Sequence, residues 1–337
     1  MSAGDPRADV LDQRTADPGA AGSTLSRLLN SWRLAGIFIP FLILFVVLSI
    51  TSAPFLHTTN LINILDQQAA TLSIAAAGTL VLVAGGIDLS VGATYGLSTV
   101  ISGELAAHHS PVLAIGLALL AGLGVGLVNG LIVAGLKINP LIATLAMSFV
   151  IGGVALKVSG GNLVVLSQNS GFYNFANAQF LTIPAAVWMT WTFVVILGLL
   201  LAKTTFGRYV VASGGNAEAA RLAGVRVNQV RIITFVLSGG AAAFGGVIDT
   251  SRLLSAQASG GGSALSFTVL AGIVVGGTSI AGGEGSVVRT AIGVLFIALI
   301  GNGFNLLGVD VLYQQIVLGL ILLLAVALDV WARKRRR

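Results

Sequence analysis

The sequence predicts an all-α, polytopic membrane protein of about ten transmembrane helices, with eight as the lower bound, and three observations predict it. Only 9% of the 337 residues are charged and 55% are hydrophobic, where an average soluble domain is roughly 25% charged. A chain so poor in charge cannot cover a globular surface with polar groups, so lipid must be its main solvent. The 44 glycines are about twice the usual share and come with only 7 prolines, a composition that suits helices packed at close approach in a bilayer. Apolar stretches of membrane-spanning length, about 17–25 residues, recur along the chain.

Residues 1–33 are a different material: Asp5, Asp9, Asp12 and Asp17 alternate with Arg7, Arg14, Arg27 and Arg33 among small polar residues, as in a disordered cytoplasmic tail. The apolar run from Leu34 is long and lacks an A-x-A cleavage site, so it reads as an uncleaved first span. The expected transmembrane domain, 34–331, divides into spans at 34–52, 66–85, 89–107, 111–136, 140–158, 184–202, 231–250, 265–282, 287–307 and 311–331, and 332–337 form a basic C-terminus. The second and third spans run almost together through Gly85-Gly86-Ile87-Asp88, so eight or nine spans remain alternatives.

Charge orients these elements. With ten spans, the tail, 86–88, 137–139, 203–230, 283–286 and the C-terminus lie on one side and, with a few residues of interface at each end that bring in Arg231 and Arg289, carry sixteen of the eighteen Lys+Arg. Only Lys157 and Arg252 fall opposite, so the positive-inside rule places both termini in the cytoplasm. The net charge of +6 is thus a topology signal and implies no nucleic acid.

Several chemistries are excluded. No cysteine is present, which removes disulfides, thiolate metal sites and cysteine nucleophiles. No Gly-Lys dipeptide occurs, so the chain has no Walker A loop for ATP. His57, His108 and His109 lie in outer loops without metal-ligand spacing. Asp88, Glu104, Asp249 and Asp310 fall at span ends, which argues against a proton-coupled carrier.

The long inner loop 203–230 holds the most specific signal. Asn216 suits a helix N-cap and Gly224 a C′ stop, with Glu218 and Arg221 paired at i,i+3 between them. A helix of two turns is not stable alone, so it must dock against something or be an ordinary interfacial loop. Within the spans, Asn129, Thr144, Ser148, Asn302 and Asn305, with Asp88 at a span end, are candidates for a translocation pathway or for polar packing. The stripes Gly92-xxx-Gly96, Gly122-xxx-Gly126-xxx-Gly130 and Gly272-xxx-Gly276 read as helix-packing seams.

Gly214-Gly215-Asn216-Ala217-Glu218-Ala219-Ala220-Arg221 with Gly224 resembles the cytoplasmic coupling loop of the ribose-type permeases of ATP-binding cassette importers, a family related to the branched-chain amino acid permeases. Gly85-Gly86-Ile87-Asp88, Asn129-Gly130 before Asn139-Pro140, Gly276-Gly277-Thr278-Ser279 with Gly282-Gly283-x-Gly285, and Asn302-Gly303-x-Asn305 agree in order from about residue 60 to 327. Ser266 and Gly152 depart from the family's pattern.

The resemblance implies a permease in a bacterial plasma (inner) membrane that pairs with a second copy or a paralogue. It implies two cytoplasmic ATPases docking at Gly214, Gly215, Asn216, Glu218, Ala219, Ala220, Arg221 and Gly224, and an external solute-binding protein. The chain itself would then hold no cofactor and no catalytic site, with ATP and Mg bound by the partner ATPase. The uncharged outer loop 159–183 favours a neutral polar solute, a sugar or polyol. The alternatives are a permease for branched-chain amino acids or nucleosides, and a self-sufficient secondary carrier.

Overall fold

The computed structural model describes residues 36–166, 171–310 and 312–334; the predicted tail 1–33 and the last three basic residues lie outside the described residues. The helices, in chain order, are α1 Gly36–Thr51, α2 Thr58–Gln67, α3 Ala69–Val83 and α4 Val91–His108. Then come α5 Pro111–Gly130, which continues into a π-helical turn Leu131–Gly135, α6 Pro140–Val158, α7 Tyr173–Asn177 and α8 Ala185–Lys203. The rest are α9 Thr205–Gly215, α10 Ala217–Leu222, α11 Val227–Leu253, α12 Gly262–Val275, α13 Val287–Leu306 and α14 Leu312–Lys334. Each of the ten predicted spans holds one long helix, so the fold is the expected helical membrane bundle.

Local chemistry fixes several ends. Asn139 accepts from Leu141 N at 3.0 Å and Pro140 follows at the first helical position, so α6 starts where its sequence says it must. Ser110 and Pro111 start α5 in the same way. Two helices end on left-handed glycines. Gly85 (φ 81) bonds back to Leu82 O while Gly86 reaches Val81 O, and Gly277 (φ 79) bonds to Val274 O while Thr278 reaches Ile273 O. Both are Schellman stops, which need a residue free of Cβ strain.

Five helices are long and apolar enough to cross a membrane: α5 with its π turn, α6, α8, α11 and α13; α1, α3, α12 and the described apolar stretch of α14 are shorter. The centre is α3 and α4, buried along almost their whole length and enclosed by α5, α6, α8, α11, α12 and α13. The outer faces of α5 and α6 carry Val112, Leu120, Phe149 and Val150, all exposed, as suits side chains solvated by lipid.

All three glycine stripes are packing seams. A Cβ on Gly122 or Gly126 would strike Gly239 O or Phe235 O on α11, one on Gly92 or Gly96 the chain at 258–262, and one on Gly272 or Gly276 the backbone or side chains of α13. On the side predicted to face outward, β1 (Val164–Val165) pairs antiparallel with β4 (Ser255–Ala256), and β2 (Gln179–Phe180) forms a hairpin with β3 (Ile183–Pro184).

Three boundaries differ from expectation. The eighth span stops at Val275 rather than 282, because Gly276-Gly277 closes the helix and leaves 276–286 as a loop. The 203–230 segment was expected to hold one short helix; it holds two, and α11 already begins at Val227. Asp249 lies inside α11, buried, rather than at a span end. Its carboxylate accepts from Tyr95 Oη at 2.8 Å and faces Arg252, which also bonds Asp66 on α2 at 3.3 Å. Arg252, one of two basic residues on the far side of the charge pattern, is therefore held in a largely buried ion cluster.

Candidate functional site

α10 is built as its sequence dictates. Asn216 Oδ1 accepts from Glu218 N at 3.1 Å and Ala219 N at 3.0 Å, satisfying the free donors of the first turn. Gly224 (φ 84) closes the other end, with Val225 N bonding Ala220 O. Glu218 and Arg221 pair with each other at 2.8 Å, both largely exposed. Ala220 is buried under the helix, whereas Glu218, Ala219, Arg221, Ala223, Gly224 and Leu222 face out. Leu222 is 83% exposed, an apolar side chain on a helix with no cover of its own.

The two glycines before Asn216 divide. Gly215 is exposed at the end of α9, but Gly214 points inward, where a Cβ would overlap Val83 O and stand 2.7 Å from Gly283 N. Gly283 N bonds Val83 O at 2.8 Å, and a Cβ on Gly282 (φ 85) would lie 2.9 Å from Gly85 Cα and 3.0 Å from Gly214 O. Three segments distant in sequence, the end of α3, the end of α9 and the α12–α13 loop, thus meet backbone to backbone. Gly214 belongs to this junction rather than to the outward face of α10.

Directly beyond the junction, residues 84–90 break α3 from α4. Asp88 lies in this connection, as expected of a short loop between spans, and is half-buried, its carboxylate accepting from Ser90 N (3.0 Å), Ser90 Oγ (2.6 Å) and Ser238 Oγ (2.8 Å). Asn129 is fully buried and donates to Ser90 Oγ at 2.7 Å, leaving its Oδ1 without a partner among the described residues. Thr144 Oγ1 accepts from Leu89 N at 3.0 Å. Ser266 Oγ donates to Leu89 O at 2.9 Å and accepts from Gly92 N at 3.0 Å. Three of the predicted pathway residues, Asp88, Asn129 and Thr144, therefore converge on one break, together with Ser90, Ser238 and Ser266, which sequence reasoning missed because lone serines in apolar helices carry no distinctive spacing.

Ser148 stands apart, lining a cavity of about 320 Å³ between α4, α6 and α12 that also takes in Gly152 and Ser266. Asn302 and Asn305 form another group at the end of α13. Asn302 exchanges hydrogen bonds with Asn60 at 2.8 and 3.3 Å, and Asn305 Oδ1 accepts from Gln314 at 3.2 Å. Their partners on α2 and α14 were also missed, although the i, i+3, i+7 spacing of Asn60, Asn63 and Gln67 is a legible signal. No cluster of His, Cys, Asp or Glu able to hold a metal ion occurs among the described residues.

Comparison with known proteins agrees with this architecture. Residues 60–326 match the family described as branched-chain amino acid transport system / permease component. A ribose import permease protein of Bacillus subtilis is 43% identical over 297 residues, 87% of this chain and 92% of that protein. An L-arabinose ABC transporter permease protein of Azospirillum brasilense is 39% identical over 331 residues, 96% and 97% of the two chains. A ribose import permease protein of Escherichia coli is 37% identical over 295 residues, 86% and 92%. No solved structure matches. A helical bundle of this order, matched over most of its length at such identity, belongs to the family of branched-chain amino acid transport system permease components, the membrane-spanning permease subunits of ABC importers.

Proposed function

We propose that the chain moves a small neutral sugar, delivered by an external binding protein, across the plasma membrane of a bacterium, driven by two cytoplasmic ATPases that grip α10. The observation that carries the sugar is the likeness to ribose and L-arabinose permeases at 37–43% identity over at least 86% of this chain. The polar groups of the bundle favour it too, since Asn302, Asn305 and their partners offer neutral donors and acceptors of the kind hydroxyls need.

The ATPases would supply ATP, Mg and hydrolysis, while this chain, paired with a second copy or a paralogue, supplies passage. Closure of the ATPases would push α10, whose exposed Leu222 and Ala219 suit an apolar groove. The push would reach α3 through the Gly214–Val83–Gly283 junction, and from there the break at 84–90. Asp88, Asn129 and Thr144 would hold the resting arrangement of that break. The sixteen inner basic residues support termini in the cytoplasm.

The test is uptake of labelled ribose and arabinose by proteoliposomes carrying the chain with its cognate ATPase and binding protein. Uptake that requires ATP inside and the binding protein outside is expected. Equal uptake by the chain alone would replace this reading with that of a self-sufficient carrier.

A further inference from the structure

A cavity of about 370 Å³ opens between α2, α12, α13 and α14 and is lined largely by carboxamides. Its size falls in the range of small-molecule sites, roughly 300–1,000 Å³. Asn60 and Gln67 rise from one face of α2, Asn302 and Asn305 from the facing end of α13, and Gln314 and Gln315 from the start of α14. No Asp, Glu, Lys, Arg or His among the described residues lines it.

Amides that serve only to join helices satisfy one another, and some here do: Asn302 with Asn60, and Gln314 with Asn305 and with Gly301 O. Asn63, Gln67, Gln68 and Gln315 line the same space and make no side-chain hydrogen bond among the described residues. Four open amides around one space leave both donors and acceptors pointing at whatever fills it. A carboxylate or ammonium solute would find no opposite charge there, and an apolar one would leave the amides dry and unpaired, which costs free energy. A molecule whose every group both donates and accepts fits best.

We propose that this amide-lined cavity is a subsite for a neutral polyhydroxylated solute, such as a pentose. The proposal rests on the sugar-import reading and deepens it. On the orientation given by the basic residues, the cavity lies toward the outer side, where delivered solute would enter.

The absence of native cysteine makes a direct test available. Single-cysteine variants Asn63→Cys, Gln315→Cys and the distant outer-loop control His109→Cys are assembled with the ATPase and binding protein, and maleimide labelling of this chain is timed with and without the sugar that the wild-type complex imports. Saturating sugar is expected to slow labelling at 63 and 315 by about tenfold at ten times Kd, in proportion to the unoccupied fraction, and to leave 109 unchanged. A parallel pair, Asn63→Leu and Gln315→Leu, should lower uptake and weaken discrimination between ribose and 2-deoxyribose by about fivefold. Should the wild-type complex import no sugar at all, the sugar reading falls and this subsite with it. Sugar import with labelling at 63 and 315 unaffected by sugar overturns the subsite alone. That second result holds even if a leucine variant fails to assemble, because the labelling measures occupancy directly.

Discussion

Adjacent glycines at the end of α9 should respond in opposite ways to the same substitution. Both have helical backbone, so alanine at either would gain about 1 kcal/mol of helix propensity in the absence of neighbours. At Gly215 the nearest non-local atom to a new Cβ is Gly283 Cα at 3.9 Å, an ordinary contact, and Gly215→Ala should be neutral or slightly stabilising. At Gly214 the Cβ would overlap Val83 O and lie 2.7 Å from Gly283 N and 2.9 Å from Val83 C. Every clashing atom is backbone, so no rotamer change relieves it. The Gly283 N to Val83 O bond of 2.8 Å must lengthen or break, and forced overpacking typically costs about 1–3 kcal/mol. A lost buried hydrogen bond adds about 1 kcal/mol more. After subtracting the propensity gain, Gly214→Ala should destabilise by about 2 kcal/mol, a fall in melting temperature of about 3 °C in detergent. The assay is thermal unfolding of the purified complex, read beside solute-stimulated ATP hydrolysis, which Gly214→Ala should also depress. Equal melting temperatures for the two variants, with stimulation intact in both, would refute the junction as a tight backbone contact.

The other expectations concern docking, burial and topology. An Ala219→Trp, Glu218→Arg double variant changes only exposed positions on α10, so it should insert normally yet lose solute-stimulated ATP hydrolysis and uptake together; normal uptake would remove the coupling role. Arg252→Met leaves the buried carboxylate of Asp249 and the part-buried one of Asp66 without their shared cation and should cost about 2–3 kcal/mol, measured by denaturation, whereas unchanged stability would show that the cluster contributes nothing. Reporters fused after Ser110 or Gly171 should read outside and those after Gly215 or Arg333 inside; an outside reading after Gly215 would sink both the ten-span orientation and the docking of ATPases at α10.

Features written in local sequence were legible and features made by distant contact were not. α6 runs 140–158 as expected, because Asn139-Pro140 caps it within a few residues of chain. α10 was legible for the same reason, with Asn216 and Gly224 setting its ends. α9 escaped notice because Thr204 is its only start signal and its glycines resemble a loop. The early stop of α12 at Val275 was written in Gly276-Gly277, but an apolar count over 265–282 runs through glycine without registering it. Asp88 was legible as a loop acid between two spans, but not its burial. One of its partners, Ser238, is 150 residues away, which no reading of its own neighbourhood supplies.

The glycine motifs that carried the family resemblance have a common physical origin. Gly85, Gly214, Gly282 and Gly283 come from three separate motifs and meet at one place, where backbone touches backbone. A junction made of main chain has few side-chain rotamers to absorb a displacement, so a shift of α9 must be passed to Val83 and the loop at 282–283 rather than dissipated. The next stretch along α3 is the break at 84–90, held by hydroxyls, an amide and one carboxylate that can exchange partners at small cost because each both loses and gains a hydrogen bond. A rigid relay ending on a re-pairable polar hinge is the combination that converts a small push into a choice between two discrete arrangements. On the proposed mechanism, the carboxylate of Asp88, shared between Ser90 on its own segment and Ser238 on α11, is where that choice is made.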